Sequence, residues 1–268
     1  MNSSDKQRVQ KQFGDKAAAY AFSAVHAKGG SLRRLRELTA PQPDWRVFDA
    51  GAGAGHTAHT FASHVRNVVA GDLTLPMLVQ ARALAEQLNL QNVSGTVADA
   101  ERLPFADGSF DLVTCRLAAH HFSDVAAFVR QSARVLRPGG LLAVSDNVVP
   151  GSNRRGKKAR LLNETGRYVN AFEKLRDPSH GRHQTPDEWR EHFVINHFAI
   201  LHEESDKKAI DFAEYVARSG VAPNDVVRLR AMLVQAPEGV LEFLTPIFQG
   251  DTITFHLTEA IFIGRLQA

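Results

Sequence analysis

Between Trp45 and Val149, short apolar runs alternate with stretches in which apolar residues recur every three or four positions. Val47-Phe48, Val68-Val69-Ala70, Val93 to Ala98, Phe110 to Cys115 and Leu141 to Val144 read as five strands. Three sets fall between them at helical spacing: Ala58, Phe61, Ala62 and Val65; Met77, Leu78, Ala81, Leu84, Ala85 and Leu88; Val125, Phe128, Val129, Ser132 and Leu136. Asp107-Gly108 turns the chain into the fourth strand, and Pro138-Gly139-Gly140 stops the helix before the fifth. Short apolar strands separated by amphipathic helices predict an α/β fold with a mostly parallel sheet covered on both faces.

Outside that span the rhythm stops. Residues 5–39 predict helices broken at Gly29-Gly30 and closed by Pro41 and Pro43. Residues 153–174, 185–195 and 209–236 predict helices, Phe198 to His202 a strand, and Thr252 to Leu266 a strand pair centred on Ile261-Phe262-Ile263. The expectation is a single domain over residues 1–268. Its sheet core covers about 40–150, 197–205 and 251–268, and a helical cap covers about 1–39, 151–196 and 206–250.

Composition narrows the setting. A chain of 268 residues can bury a full core without staples. Its single cysteine, Cys115, rules out an intrachain disulfide and points to a reducing cytoplasm. No apolar run approaches the roughly 18 residues of a membrane span, and Met1 to Gln12 lacks the apolar stretch of a secretory signal. The formal net charge is only +3. The tightest basic run, Arg154 to Arg160, reads as a solvated helix start before it reads as a nucleic-acid surface. The histidines show no ligand spacing with cysteine, so no metal site is expected.

The densest chemistry is Phe48-Asp49-Ala50-Gly51-Ala52-Gly53-Ala54-Gly55-His56, where the first strand turns into the first helix of the alternation. Glycine admits positive φ and close approach of a ligand, and the helix behind it offers free N–H groups. A dinucleotide fingerprint, G-x-G-x-x-G, would place its last glycine where His56 stands. Here the glycines stand at 51, 53 and 55 behind an acid, Asp49, which would repel a pyrophosphate. A second acid, Asp72, ends the second strand and can accept from both hydroxyls of a ribose. A third, Asp99, ends the third strand and can accept from an adenine amino group while the amide of Ala100 donates to a ring nitrogen. Acids at three successive strand ends suit an adenosyl ligand with a cationic amino-acid tail and suit a polyanion badly.

The stretches DAGAGAG, GDLTLPML, DAERLPF, FDLVTCRLAAHHFSD and RVLRPGGLL resemble class I S-adenosylmethionine-dependent methyltransferases. More narrowly, they are similar to the group containing the ubiquinone and menaquinone C-methyltransferases and many small-molecule methylating relatives. The resemblance covers roughly residues 13–150 and extends to Arg176-Asp177-Pro178-Ser179-His180-Gly181-Arg182. It implies a Rossmann-like sheet with an antiparallel last strand and S-adenosylmethionine as cofactor. It also implies that Asp49, Gly51, Gly53 and Gly55 shape the methionine pocket, Asp72 binds ribose, and Asp99 and Ala100 bind adenine. Leu73 and Met77 would pack nearby, and the backbone near Arg116 would face the methionine ammonium.

A nucleophile held in line with the methyl group needs mainly positioning, with a base where it carries a proton. His120 and His121 follow the fourth strand and Asp146 the fifth, so a histidine base with a carboxylate orienter is expected; capping the next helix or filling a polar core gap is the alternative role for one or both rings. Arg176, His180 and Arg182 are expected to contact the acceptor, although a surface loop would carry the same residues. Phe13 and Tyr20 are candidates to close over the cofactor or simply to pack. The acceptor expected is a small molecule. The Asn/Asp-Pro-Pro-aromatic sequence of adenine-N6 enzymes is replaced by Arg116-Leu117-Ala118-Ala119, and Cys115 follows Thr114 where a cytosine-C5 enzyme has Pro-Cys. A non-catalytic cofactor-binding or partner-binding role is the other alternative.

Overall fold

The computed structural model describes residues 3–14, 17 and 29–267; Tyr20 lies outside them. The chain forms two compact units from interleaved segments. One holds Met1–Asp146, Arg190–Glu204 and Ile261–Ala268, the other Asn147–Trp189 and Ser205–Ala260. The sequence expectation assigned residues 1–39 and 190–196 to the cap and 251–260 to the core; the compact units distribute these segments the other way.

The first unit opens with helices α1 (Ser3–Gly14) and α2 (Gly30–Thr39). Then come β1 (Arg46–Ala50), α3 (His56–Ala62), β2 (Asn67–Asp72), α4 (Leu75–Gln87), β3 (Val93–Val97), β4 (Phe110–Arg116), a 3-10 turn (Ala119–His121), α5 (Val125–Val135) and β5 (Leu136–Val148). Three later elements pass between the units: α7 (Pro186–Ile195), β6 (Phe198–Asp211) and β8 (Thr252–Leu266). The sheet order is β3-β2-β1-β4-β5-β8-β6, mostly parallel with an antiparallel strand. The fold is therefore a Rossmann-like sheet with an antiparallel strand.

Burial explains which apolar runs became which strands. All seven residues of β4 are buried because it lies mid-sheet, whereas β3, at the edge, leaves Ser94, Gly95 and Val97 exposed. The parallel register pairs Ala50 with Gly71 and Cys115, and Asp72 with Val97. The C-terminal ends of β1, β2, β3 and β4 thus reach one edge together. Val47, Val68, Leu112, Ala143, Phe61, Ile261 and Ile263 form the apolar core beneath it.

Three boundaries differ from the sequence pattern. Leu136, at a helical position in that pattern, is the first residue of β5, which runs on to Val148. Thr252 to Leu266 is one strand of 15 residues rather than a pair; its partner in a hairpin is the short β7 (Ile247–Gln249). In β8, Ile253, Phe255 and Leu257 are buried in alternation, and from Glu259 to Gly264 every residue is buried. One strand thus carries both a one-faced and a two-faced burial pattern. The helix predicted over 209–236 is instead the end of β6 followed by α8 (Phe212–Ser219) and α9 (Pro223–Val234). Asp211 caps α8 by accepting from Glu214 N at 2.8 Å, and Gly220 ends it in the left-handed region at φ 62°.

The second unit adds α6 (Lys157–Arg176) and α10 (Glu238–Leu244). Its own core is Phe172, Tyr215, Leu229, Leu233, Val240 and Phe255. Among the described residues, no helix is long and apolar enough to cross a membrane.

Candidate active site

The β1–α3 turn begins at Gly51, with φ 66°, 54° and 84° at Gly51, Gly53 and Gly55. Two of these positions are also sterically closed. A Cβ on Gly51 would lie 2.6 Å from Ala118 Cβ, and one on Gly55 would lie 2.7 Å from His59 Cε1 and 2.9 Å from Ala81 Cβ. A Cβ on Gly53 would meet nothing within 4 Å. Gly51 and Gly55 are thus fixed by the protein's own packing, whereas Gly53 lines an open cleft.

Asp49 does not reach that cleft wall. It is buried between β1, α3 and β4, accepting from Ala58 N at 3.1 Å and from Thr114 Oγ1 at 2.7 Å. Burial pushes its carboxyl up to about 7, against the opposing pull of those two bonds and of Arg116. Its structural job is to tie the helix after the glycine turn to the neighbouring strand. Gly55, the N-cap of α3, is likewise behind the wall.

The cleft has a volume of about 980 Å³, part of it open to solvent, and lies wholly in the first unit. Gly51, Gly53, Asp72, Leu73, Met77, Asp99, Ala100 and Arg116 line it. Asp72 Oδ2 accepts from Gly53 N and Oδ1 from Thr74 N, each at 2.8 Å. A carboxylate oxygen can accept from more than one donor, so Asp72 can also face a ribose diol. Burial raises the Asp72 carboxyl above its usual range despite those amides. Asp99 Oδ1 accepts from Glu101 N at 3.0 Å. The Arg116 side chain turns away to Ser31 Oγ on α2 at 2.8 Å. An open glycine wall and two acids lining the cleft fit an adenosyl ligand.

The segment after β4 presents the two histidines differently. Leu117, a non-glycine residue at φ 50°, starts a tight turn whose amide donates to Ser145 O at 2.8 Å. That turn delivers His120 to Asp146. Asp146 Oδ1 lies 2.6 Å from His120 Nδ1, and Oδ2 accepts from His120 N at 2.9 Å. Both side chains are buried. With the carboxylate accepting at Nδ1, the basic lone pair of the neutral ring lies on Nε2. His121 lines the cleft, its ring centroid 4.2 Å from that of His120 and 4.8 Å from Phe13 of α1. The helix-capping role considered for the histidines falls instead to Asp124, which accepts from Ala127 N at 2.8 Å.

Two groups on the cleft wall carry no signal in the sequence motifs. Glu101 accepts from Ser123 N at 2.7 Å and Asp124 N at 3.3 Å, bracing the segment after the histidines. Lys6, from α1, bonds Asp99.

Arg176, Asp177, Ser179, His180 and His183 belong to the second unit and are buried, whereas Arg182 is exposed. Arg176 bonds Glu173 at 3.1 Å, bonds Ser219 Oγ, and stacks over Tyr215 at 4.2 Å. His180 Nε2 lies 3.1 Å from Asn170 Oδ1, and Arg182 pairs with Glu188 at 2.8 Å. Ligand atoms of Glu173, His180 and His183 fall within 4.8 Å of one another, close enough for a cation. Tyr215 Oη shares its one proton between the two Glu173 oxygens, at 2.8 and 2.7 Å, and the Arg176 guanidinium supplies the countercharge. Glu173, Arg176 and Tyr215 thus form a buried network of ion pair and hydrogen bonds.

A family model described as "Methyltransferase domain" matches residues 48–144, from β1 through β5. The uncharacterized methyltransferase YcgJ of Bacillus subtilis is 36% identical over 208 residues, 78% of this chain and 78% of that one. Its crystal structure aligns with a TM-score of 0.82 at 31% identity, covering 89% of this chain and 98% of that chain. The ubiquinone/menaquinone biosynthesis C-methyltransferase UbiE of Ectopseudomonas mendocina is 34% identical over 154 residues, 54% of this chain and 60% of that protein.

Proposed function

Because the chain belongs to the S-adenosylmethionine-dependent methyltransferases, we propose that it methylates a carbon or oxygen atom of a small molecule, with His120 as base and Asp146 as its orienter. S-adenosylmethionine is the cofactor; when bound it supplies an activated methyl group and leaves as S-adenosylhomocysteine. In this reading Asp72 holds the ribose, and Asp99 with the amide of Ala100 reads the adenine. Gly51 and Gly53 make room for the methionine, Leu73 and Met77 supply apolar contact, and the backbone near Arg116 meets the ammonium. Asp49 and Gly55 act from behind by fixing the glycine turn.

The observation that carries the base assignment is the double contact of one buried carboxylate with His120, through ring and backbone. It holds the ring so that Nε2 receives the acceptor's proton, while Asp146 balances the imidazolium that results. His121, on the cleft wall, positions the acceptor against the donor. Arg176, through Glu173 and Ser219, and Arg182, through Glu188, hold the segment that carries His180. The similarity to a quinone C-methyltransferase supports a ring-activated carbon or hydroxyl acceptor.

The test is S-adenosylhomocysteine production against quinols, phenols, hydroxylated natural products and nucleic acids. The reading expects turnover with a member of the first three classes and a fall of about 10²-fold or more in His120→Ala, with cofactor affinity nearly intact. Turnover on nucleic acid alone, or full turnover in both His120→Ala and His121→Ala, overturns it.

A further inference from the structure

The cleft contains a cation supplied by the chain itself. Lys6 Nζ, from α1, bonds Asp99 Oδ2 and lies 3.4 Å from Glu101 Oε2. The Lys6 side chain is only 21% exposed, so this is not a solvated surface pair. Helix α1 is placed across the cleft by further contacts. Gln10 Nε2 donates to Leu73 O at 3.1 Å, Val9 lines the wall, and the Phe13 ring meets the His121 ring edge-on. One helix therefore runs from the adenine acid to the histidine wall.

We propose that Lys6 is a gate residue: its ammonium and the cofactor's adenine amino group compete for the same Asp99 oxygen. This rests on the assignment of Asp99 to adenine made above. When the amino group takes Asp99, the nearest remaining carboxylate for Lys6 is Glu101, which is buried and already within 3.4 Å. Glu101 in turn holds the amides of Ser123 and Asp124, at the start of α5 directly after the histidine segment. Transfer of Lys6 from Asp99 to Glu101 thus links occupancy of the adenine position to α1 and to the support of His120 and His121. Because Lys6 already touches both carboxylates, the exchange gives up one of its two contacts, a cost that opposes cofactor binding.

The proposal is tested by calorimetry of S-adenosylhomocysteine with the full chain and with Lys6→Met, Asp99→Ala and the double variant. Competition predicts tighter binding in Lys6→Met by about 3- to 10-fold, the scale of a partly buried ion pair. In the Asp99→Ala background the same change shifts affinity less than about 2-fold, because the contested oxygen is gone. Unchanged or weaker binding in Lys6→Met overturns the gate. The adenine assignment is read separately, by comparing Lys6→Met with Lys6→Met/Asp99→Ala. Equal affinity in those two refutes Asp99 as the adenine acceptor, whatever Lys6 does.

Discussion

Removing the Asp72 carboxylate tests how cofactor recognition is built into the sheet edge. Asp72 closes β2, and its two oxygens accept from Gly53 N and Thr74 N at 2.8 Å. Asp72→Ala therefore does two things. It takes away the acceptors assigned to the ribose hydroxyls, and it releases the amide that fixes the middle of the glycine turn. Hydrogen bonds to a charged group contribute about 1.5–3 kcal/mol, so the dissociation constant for S-adenosylhomocysteine should rise about 10- to 150-fold. Global stability should change less. Asp72 is half-buried, and removing a carboxylate whose ionisation burial disfavours offsets part of the two lost bonds. Asp72→Asn should fall between, since one amide oxygen still accepts. The assay is isothermal titration calorimetry, with thermal unfolding as the check that each variant is folded. A folded Asp72→Ala protein that binds within about twofold of wild type would refute ribose recognition by this residue.

Further outcomes follow from the same wall. Gly53→Ala should cost about 1 kcal/mol of stability from its positive φ alone, yet should weaken cofactor binding because its methyl enters the cleft. Gly55→Ala should instead destabilise by about 2–4 kcal/mol through contact with His59 and Ala81, as chemical denaturation would read. Asp49, raised to about 7 by burial, keeps its proton in the folded chain over a range where the unfolded carboxyl has lost it. This group therefore makes the fold less stable as pH rises from about 4 to 7. Asp49→Asn should remove that component, flattening melting temperature across this window; an unchanged slope would count against a protonated Asp49. Asp146→Asn should lower turnover by about 10²-fold or more, because an amide facing Nδ1 can favour the wrong ring tautomer. Turnover within about twofold of wild type would remove Asp146 from the mechanism.

Much of this site could be read from local pattern. The glycine turn and the acids Asp72 and Asp99 sit at strand ends, and parallel strands bring such ends to one edge. Sequence distance hid the rest. Lys6 is 93 residues from Asp99 in the chain, and nothing in a polar N-terminal helix marks one lysine as pocket-lining. Glu101 looks like a loop acid until Ser123 and Asp124 are seen to donate to it. Asp49 was legible as an acid beside the glycines, but its turn inward to Ala58 and Thr114 depends on strand register. The cluster at 176–183 has the composition of a surface loop. Arg176, Asp177, Ser179, His180 and His183 are nonetheless buried: Glu173, Tyr215 and Ser219, on two helices far apart in sequence, satisfy Arg176.

The central proposal is transfer of a methyl group to a small molecule in this cleft, with the buried His120–Asp146 pair next to the wall residue His121 as base and orienter. Mass spectrometry of a small-molecule extract, incubated with the enzyme and S-adenosylmethionine deuterated in its methyl group, tests it most directly. The account predicts that a discrete low-mass compound gains the labelled methyl with wild type and loses that gain with His120→Ala. Label found only in nucleic acid or protein, or S-adenosylhomocysteine formed with no labelled product, would contradict it.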